Sequence, residues 1–185
     1  MDATMTTNEL RTASALAGTA CVIAEASRAG PPALKPLAAL LTDPNVEVAR
    51  SARRALYRII RNAGRPGAAR EARAVEAELI ALLKSDAAPV RREVLWLLSE
   101  IGGKDAVAPM AALLADPEAR EDARCALTRL PGDRATAALK SAFASAPEDF
   151  RFALAESVRQ RGGKVAGYPS KRLIPAKQTS VGQAR

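Results

Sequence analysis

The sequence predicts an all-α chain: a solenoid of about four helical hairpins led by one further helix. Three observations carry this reading. Alanine and leucine dominate, and alternating β-branched runs, the mark of strands, do not occur. Apolar residues recur instead at three- and four-residue spacing, the period of a helix with one buried stripe. Gly, Pro or Asp breaks the pattern roughly every 10 to 20 residues, so the helices are short and must stack to bury their apolar faces.

Taken in order, the leading helix runs over about residues 8–28 and caps the array. The pairs follow at about 32–42 and 46–62, 69–84 and 88–101, 104–115 and 117–129, and 133–144 and 147–161. The breaks repeat. Leu40-Leu41-Thr42-Asp43-Pro44 matches Leu82-Leu83-Lys84-Ser85-Asp86 and Leu113-Leu114-Ala115-Asp116-Pro117. Each ends one helix and starts the next. Asp and Ser side chains accept from free N–H groups there, and Pro fits the first turn. The second helix of each pair also repeats. Val48, Ala52, Leu56, Ile59 is followed by Val90, Val94, Leu98, Ile101, then by Ala119, Ala123, Leu127, Leu130, and then by Phe150, Leu154, Val158. Asn62 to Gly67 forms a loop inserted between the first two pairs. From Gly162 the periodicity stops. Residues 162–185 are basic, hold two prolines and read as a disordered tail, with Tyr168, Leu173 and Ile174 as its anchoring side chains if it packs.

DPNVEVARSARRAL and SDAAPVRREVLWLLSEIGG resemble HEAT repeats, especially the short bacterial kind also called phycobilisome-lyase-type repeats. The resemblance covers about residues 10–161. It implies a right-handed α-α superhelix of the HEAT/armadillo type, with the second helices of the pairs lining the concave side. It implies an Asp–Arg ladder between turns, with Asp43 and Asp116 against Arg91, Arg120 and Arg151. Ala49, Ser85 and Ser145 depart from that pattern. It also implies a protein- or peptide-binding scaffold, while some relatives are lyase-like chaperones.

Composition removes most chemistry. Histidine is absent, which excludes Ser-His-Asp and Cys-His catalysis, imidazole metal sites and the His-Glu iron sites of hydroxylase relatives. Cys21 and Cys125 are too far apart in sequence for a CxxC site. One Trp, two Tyr and three Phe make a base-flipping glycosylase pocket hard to build. Glu76/Glu78, Glu121/Asp122 and Glu148/Asp149 sit where acids suit helix starts or solvent. The Gly-Gly-Lys triplets at 102–104 and 162–164 lack P-loop spacing and read as helix C-caps. No cofactor, metal or enzyme activity is expected, no apolar run is long enough to span a membrane, and the cysteine usage suits the cytoplasm. Ala13 to Ala24 is apolar, but acids precede it, so it reads as mature helix rather than signal segment.

Charge supplies the functional lead. The net charge is +8. Lys164, Lys171, Arg172, Lys177 and Arg185 concentrate part of it in the tail, and a second concentration lies in the arginines of residues 50–73. On a helical wheel Arg50, Arg54, Arg58 and Arg61 fall within about 80° opposite Val48, Ala52, Leu56 and Ile59. The repeat register puts Arg92 and Trp96 in the equivalent row of the second unit and Phe152 in that of the fourth. Cys125 falls in the row of the third. The row reads either as a solvated face or as a binding groove. As a groove it would take a protein or peptide of acidic character, or a nucleic acid bound by the arginines and the tail.

Overall fold

A computed structural model of the chain describes residues 6–10 and 28–170. Residues 7–10 are helical, and Leu10 is fully buried. Thr6 and Glu9 close this turn reciprocally: the Thr6 N–H donates to the Glu9 carboxylate at 2.6 Å and the Glu9 N–H to the Thr6 hydroxyl at 3.3 Å. The remainder of the expected leading helix, including Cys21, lies outside the described residues.

Eight α-helices follow among the described residues. They are α1 (Leu34–Ala39), α2 (Val46–Ala63), α3 (Ala69–Leu82), α4 (Ala88–Ile101), α5 (Val107–Ala112), α6 (Arg120–Arg129), α7 (Asp133–Ser145) and α8 (Glu148–Gln160). Both α1 and α5 end in a tighter 3₁₀ turn, Leu40–Thr42 and Leu113–Ala115. No strand occurs among the described residues. Each odd helix packs against the even helix after it, and α2, α4, α6 and α8 pack in succession as one layer. This is a helical solenoid with a continuous layer of second helices.

The apolar stripes carry the stacking. Val48, Ala52, Leu56 and Ile59 are buried, as are Val90, Val94 and Leu98, Ala119, Ala123, Leu127 and Leu130, and Phe150, Leu154 and Val158. Ile101 is the one partly exposed member of the repeated pattern. Burial of each Val, Leu, Ile or Phe among them contributes about 1.5–3 kcal/mol before conformational entropy is charged against it.

The turns use one device three times. A side-chain oxygen accepts from the N–H two residues on: Asp43 from Asn45 at 2.8 Å, Ser85 from Ala87 at 3.3 Å and Asp116 from Glu118 at 2.9 Å. Asn45 then caps α2 by accepting from the Glu47 N–H at 3.0 Å. The fourth turn departs: Ser145 points back to the Ala142 carbonyl.

The two Gly-Gly pairs end helices. The Gly102 N–H closes α4 on the Leu98 carbonyl at 2.7 Å. A Cβ there would meet that same oxygen at 2.5 Å, so only glycine fits. The Gly103 N–H donates to the Glu76 carboxylate of α3 at 2.6 Å. At the end of α8, Gly162 takes φ +78° and the Gly163 N–H reaches back to the Val158 carbonyl at 2.8 Å.

The chain does not leave the fold at residue 161. Arg161 folds back over the end of α6. Its guanidinium donates to the Thr136 hydroxyl (2.8 Å) and to the carbonyls of Leu127 (3.3 Å), Thr128 (2.8 Å), Leu130 and Gly132 (2.6 Å). The carbonyls of Leu127, Thr128 and Leu130 lie at the end of α6, past its last helical donor, and an arginine is a natural cap for them, while Gly132 is the N-cap of α7. Residues 162–170 then run along α8. The Tyr168 ring meets Phe143 and Phe152 edge-on, with centroids 5.1 and 5.0 Å away. Its hydroxyl donates to Glu148 at 2.9 Å, and Arg159 donates to its carbonyl at 2.6 Å. The boundary read at 161 therefore falls inside the packed structure, because aromatic contacts give no periodic signal. Leu173, Ile174 and the rest of 171–185 lie outside the described residues.

Candidate binding surface

The surface formed by the second helices is built from cross-repeat ion pairs. Arg53 of α2 donates to Glu93 of α4 at 2.9 Å. Arg92 of α4 reaches Asp122 of α6 at 2.8 Å, and Arg129 of α6 reaches back to Glu100 of α4. Arg120 of α6 reaches Asp149 of α8 at 2.8 Å. The next step is a neutral acceptor: Arg124 donates to the buried Ser157 hydroxyl at 2.7 Å while pairing with Glu121.

The Asp–Arg ladder is present in modified form. Arg91 donates to the carbonyls of Ser85 and Asp86, both at 2.9 Å, and its Nη2 lies 2.9 Å from Asp116 of the next turn. The Glu118 N–H and then the Arg91 guanidinium hold the Asp116 carboxyl below the usual carboxylate range. Arg120 finds Asp149 instead of a turn residue, since Ser145 replaces the aspartate there. Arg151 binds the Ala146 carbonyl at 2.8 Å and contacts the Tyr168 hydroxyl at 3.4 Å.

Between α2 and α4, and reaching Asp122 of α6, lies an open hollow of about 400 Å³. Arg53, Tyr57, Pro89, Arg92, Glu93 and Trp96 form the rest of its lining. Trp96 is 42% exposed. Its ring is covered on one side by the Arg129 guanidinium, 4.7 Å from the centroid. Glu100 pairs with that arginine in turn, so one side of the Trp96 ring is covered while the residue keeps exposed surface. Tyr57 lines the same hollow. Burial, and then the Glu93 carboxylate beside it, push its hydroxyl up to about 12.

Of the residues expected to share one trough, the structure brings Arg92 and Trp96 together. Arg50, Arg54, Arg58 and Arg61 are exposed on α2 but do not line this hollow. Phe152 lies in the predicted row yet belongs to a different hollow, with Glu156, Arg159, Pro169 and Ser170, where it meets Tyr168. Cys125 is exposed and accepts from Arg124 at 3.3 Å. Sequence reasoning missed Arg53, Tyr57, Glu93 and Asp122. The missed signal is the opposite charge of Arg53 and Glu93, and of Arg92 and Asp122, on successive second helices.

Most of the carboxylates singled out earlier have structural partners. Glu76 accepts from the Gly103 N–H, Glu121 pairs with Arg124, Asp122 with Arg92, Glu148 accepts from Tyr168 and Asp149 from Arg120, while Glu78 is exposed on α3. Among the described residues no cluster of three metal-ligating side chains occurs, and no helix is long and apolar enough to cross a membrane.

Repeated hairpins, a recurring turn and an inter-repeat ladder define a stacked helical-repeat protein. A family profile for HEAT repeats matches residues 34–128 and 75–159, and the chain belongs to the HEAT-repeat family. No curated protein matches it. Among solved structures it is similar to two engineered proteins known from crystal structures. One is 23% identical, with a TM-score of 0.41, over 83% of this chain and 72% of that one. The other is 21% identical, with a TM-score of 0.40, over 77% of this chain and 40% of that one.

Proposed function

We propose that this chain is a non-enzymatic scaffold that receives a protein or peptide on its second-helix layer, centred on Trp96. One observation carries the reading: a single tryptophan, clamped by Arg129 and Glu100, stands exposed in an open hollow. An exposed aromatic beside arginines is the composition of an interface anchor. The hollow is charge-balanced: Arg53 faces Glu93 and Arg92 faces Asp122. It therefore suits a peptide that lays an apolar or aromatic side chain on Trp96 and offers polar groups to both signs. A partner that is acidic throughout fits it less well than the sequence implied.

The test is a peptide-display selection on the wild-type chain, followed by titration of selected peptides, with Trp96 emission read in the wild type and affinity measured in both chains by anisotropy of a fluorophore-labelled peptide. The expected result is a blue shift of Trp96 on binding and a labelled-peptide affinity weakened about 30-fold by Trp96→Ala, the scale of a hot-spot residue. Failure to enrich any peptide, or equal affinity in Trp96→Ala, would refute the reading.

A further inference from the structure

The arginine stripe on α2 is a separate surface. Arg50, Arg54, Arg58 and Arg61 are all exposed. Arg50 pairs with Glu47 at 2.8 Å, but both side chains are about 60% exposed (59% and 61%), so solvent screens that pair and an incoming anion readily replaces it. Arg54, Arg58 and Arg61 make no ion pair with a described residue. Consecutive residues stand about 100° apart on a helix. Arg53 and Tyr57 therefore turn toward α4 and the Trp96 hollow, while Arg54 and Arg58 turn to the other flank. The four stripe arginines climb about 16 Å of helix in steps of about 4.5 to 6 Å.

Like charges at this spacing destabilise a helix. Elsewhere on the second-helix layer arginines meet carboxylates or buried acceptors, so among the described residues of that layer the stripe is where fixed positive charge is least compensated. An anionic ligand supplies the compensation. The stripe itself consists only of guanidiniums. A protein interface needs an apolar or aromatic anchor at its centre, and none lies among these four positions. A phosphodiester backbone needs none: it is bound by Arg through paired, charge-assisted hydrogen bonds, irrespective of base sequence.

We propose that the α2 stripe binds the sugar-phosphate backbone of a nucleic acid, without sequence preference, independently of the Trp96 hollow. Four arginines contact successive phosphates, and binding weakens as salt rises because each contact releases a condensed counterion.

Fluorescence anisotropy with a labelled 20-nucleotide DNA single strand and the matching duplex, over 20–200 mM NaCl, tests this. The wild-type chain is expected to bind at 20 mM. The triple variant Arg54→Gln/Arg58→Gln/Arg61→Gln should bind about 100-fold more weakly at low salt and lose about 2 units of the log–log salt slope on the single strand and about 3 on the duplex. Lys84→Gln/Lys104→Gln/Arg134→Gln removes the same net charge from exposed sites elsewhere and should change affinity less than threefold. Trp96→Ala should bind the oligonucleotides unchanged, which separates this surface from the peptide site. Single replacements at Arg54 and at Arg61, each costing about fivefold, carry the test if the triple variant unfolds. Equal losses in both triple variants would show that diffuse net charge does the work. Absence of binding at 20 mM, or binding of polyglutamate with neither oligonucleotide bound, would equally overturn the proposal, the latter in favour of an acidic protein.

Discussion

The first second helix and the three after it occupy equivalent places in the repeat and treat charge in opposite ways. Downstream, an arginine is paired across the repeat: Arg92 with Asp122, Arg120 with Asp149, Arg129 with Glu100. Each pair stitches one hairpin to the next. On α2, Arg53 alone joins this scheme, through Glu93; in the stripe beside it Arg50 meets only the exposed Glu47 of its own helix, and Arg54, Arg58 and Arg61 pair with no carboxylate among the described residues. The same register thus serves cohesion at one end of the array and display at the other. Exposed pairs contribute little each, so the cohesive role rests on the arginines whose donors are spent on fixed, partly buried acceptors.

That comparison breaks most visibly at Arg161. Its donors reach three backbone carbonyls at the end of α6, the Gly132 carbonyl at the start of α7 and the Thr136 hydroxyl. Arg161→Ala leaves those carbonyls without their donor and unties the last hairpin from the third. The expected loss is about 3 kcal/mol, or roughly 10 °C in melting temperature. Arg161→Lys should recover only a small part, because an ammonium is a point charge and does not reproduce the fork. Thermal melts followed by circular dichroism measure both. A loss under about 1 kcal/mol would mean that water replaces the guanidinium at little cost.

A smaller effect sharpens the comparison at the α2–α4 joint. Tyr57 keeps its proton to about pH 12 in the fold, above the unfolded value of about 10. The folded state therefore holds that proton more tightly than the unfolded chain does. The stabilisation is complete below about pH 10 and is lost as pH climbs toward 12. Urea melts at pH 9 and at pH 11.5 should show wild type losing more stability than Tyr57→Phe, which carries no such proton. Parallel losses in the two chains would show that Tyr57 is not the titrating group.

Much of this architecture is legible in the sequence because it depends on period. Val48, Ala52, Leu56 and Ile59 must face inward together, and their counterparts in the later units obey the same spacing. The turns are legible because Asp43, Ser85 and Asp116 each have an N–H to bind two residues on. The site was only half legible, for a geometric reason. A helical wheel separates buried from exposed, but a second helix inside a stack has two exposed flanks, one toward each neighbour. The wheel therefore grouped Arg54 with Trp96 and passed over Arg53, though Arg53 is the residue that meets Glu93. Tyr168 was legible only as an anchor in waiting: its partners Phe143, Phe152 and Glu148 lie far from it in sequence and share no period with it.

The smallest expected effect bears directly on display. If the α2 stripe holds no part of the fold together, removing its charge should not weaken the protein. Arg50, Arg54 and Arg58 stand four residues apart, and like charges at that spacing cost a few tenths of a kcal/mol per pair. Arg54→Gln/Arg58→Gln should therefore leave stability within about 0.5 kcal/mol of wild type, on the side of a gain. Glutamine is a good helix former, so propensity does not mask the outcome. The gain should disappear in 1 M NaCl, where the screening length falls to about 3 Å. Denaturant melts at low and high salt resolve this. A loss above about 1 kcal/mol would place these arginines among the cohesive ones and erase the contrast between the first unit and the rest. A salt-dependent gain beside the losses at Arg161 would mean that the first unit keeps its charge at a cost to folding, which is what a surface held open for an anion requires.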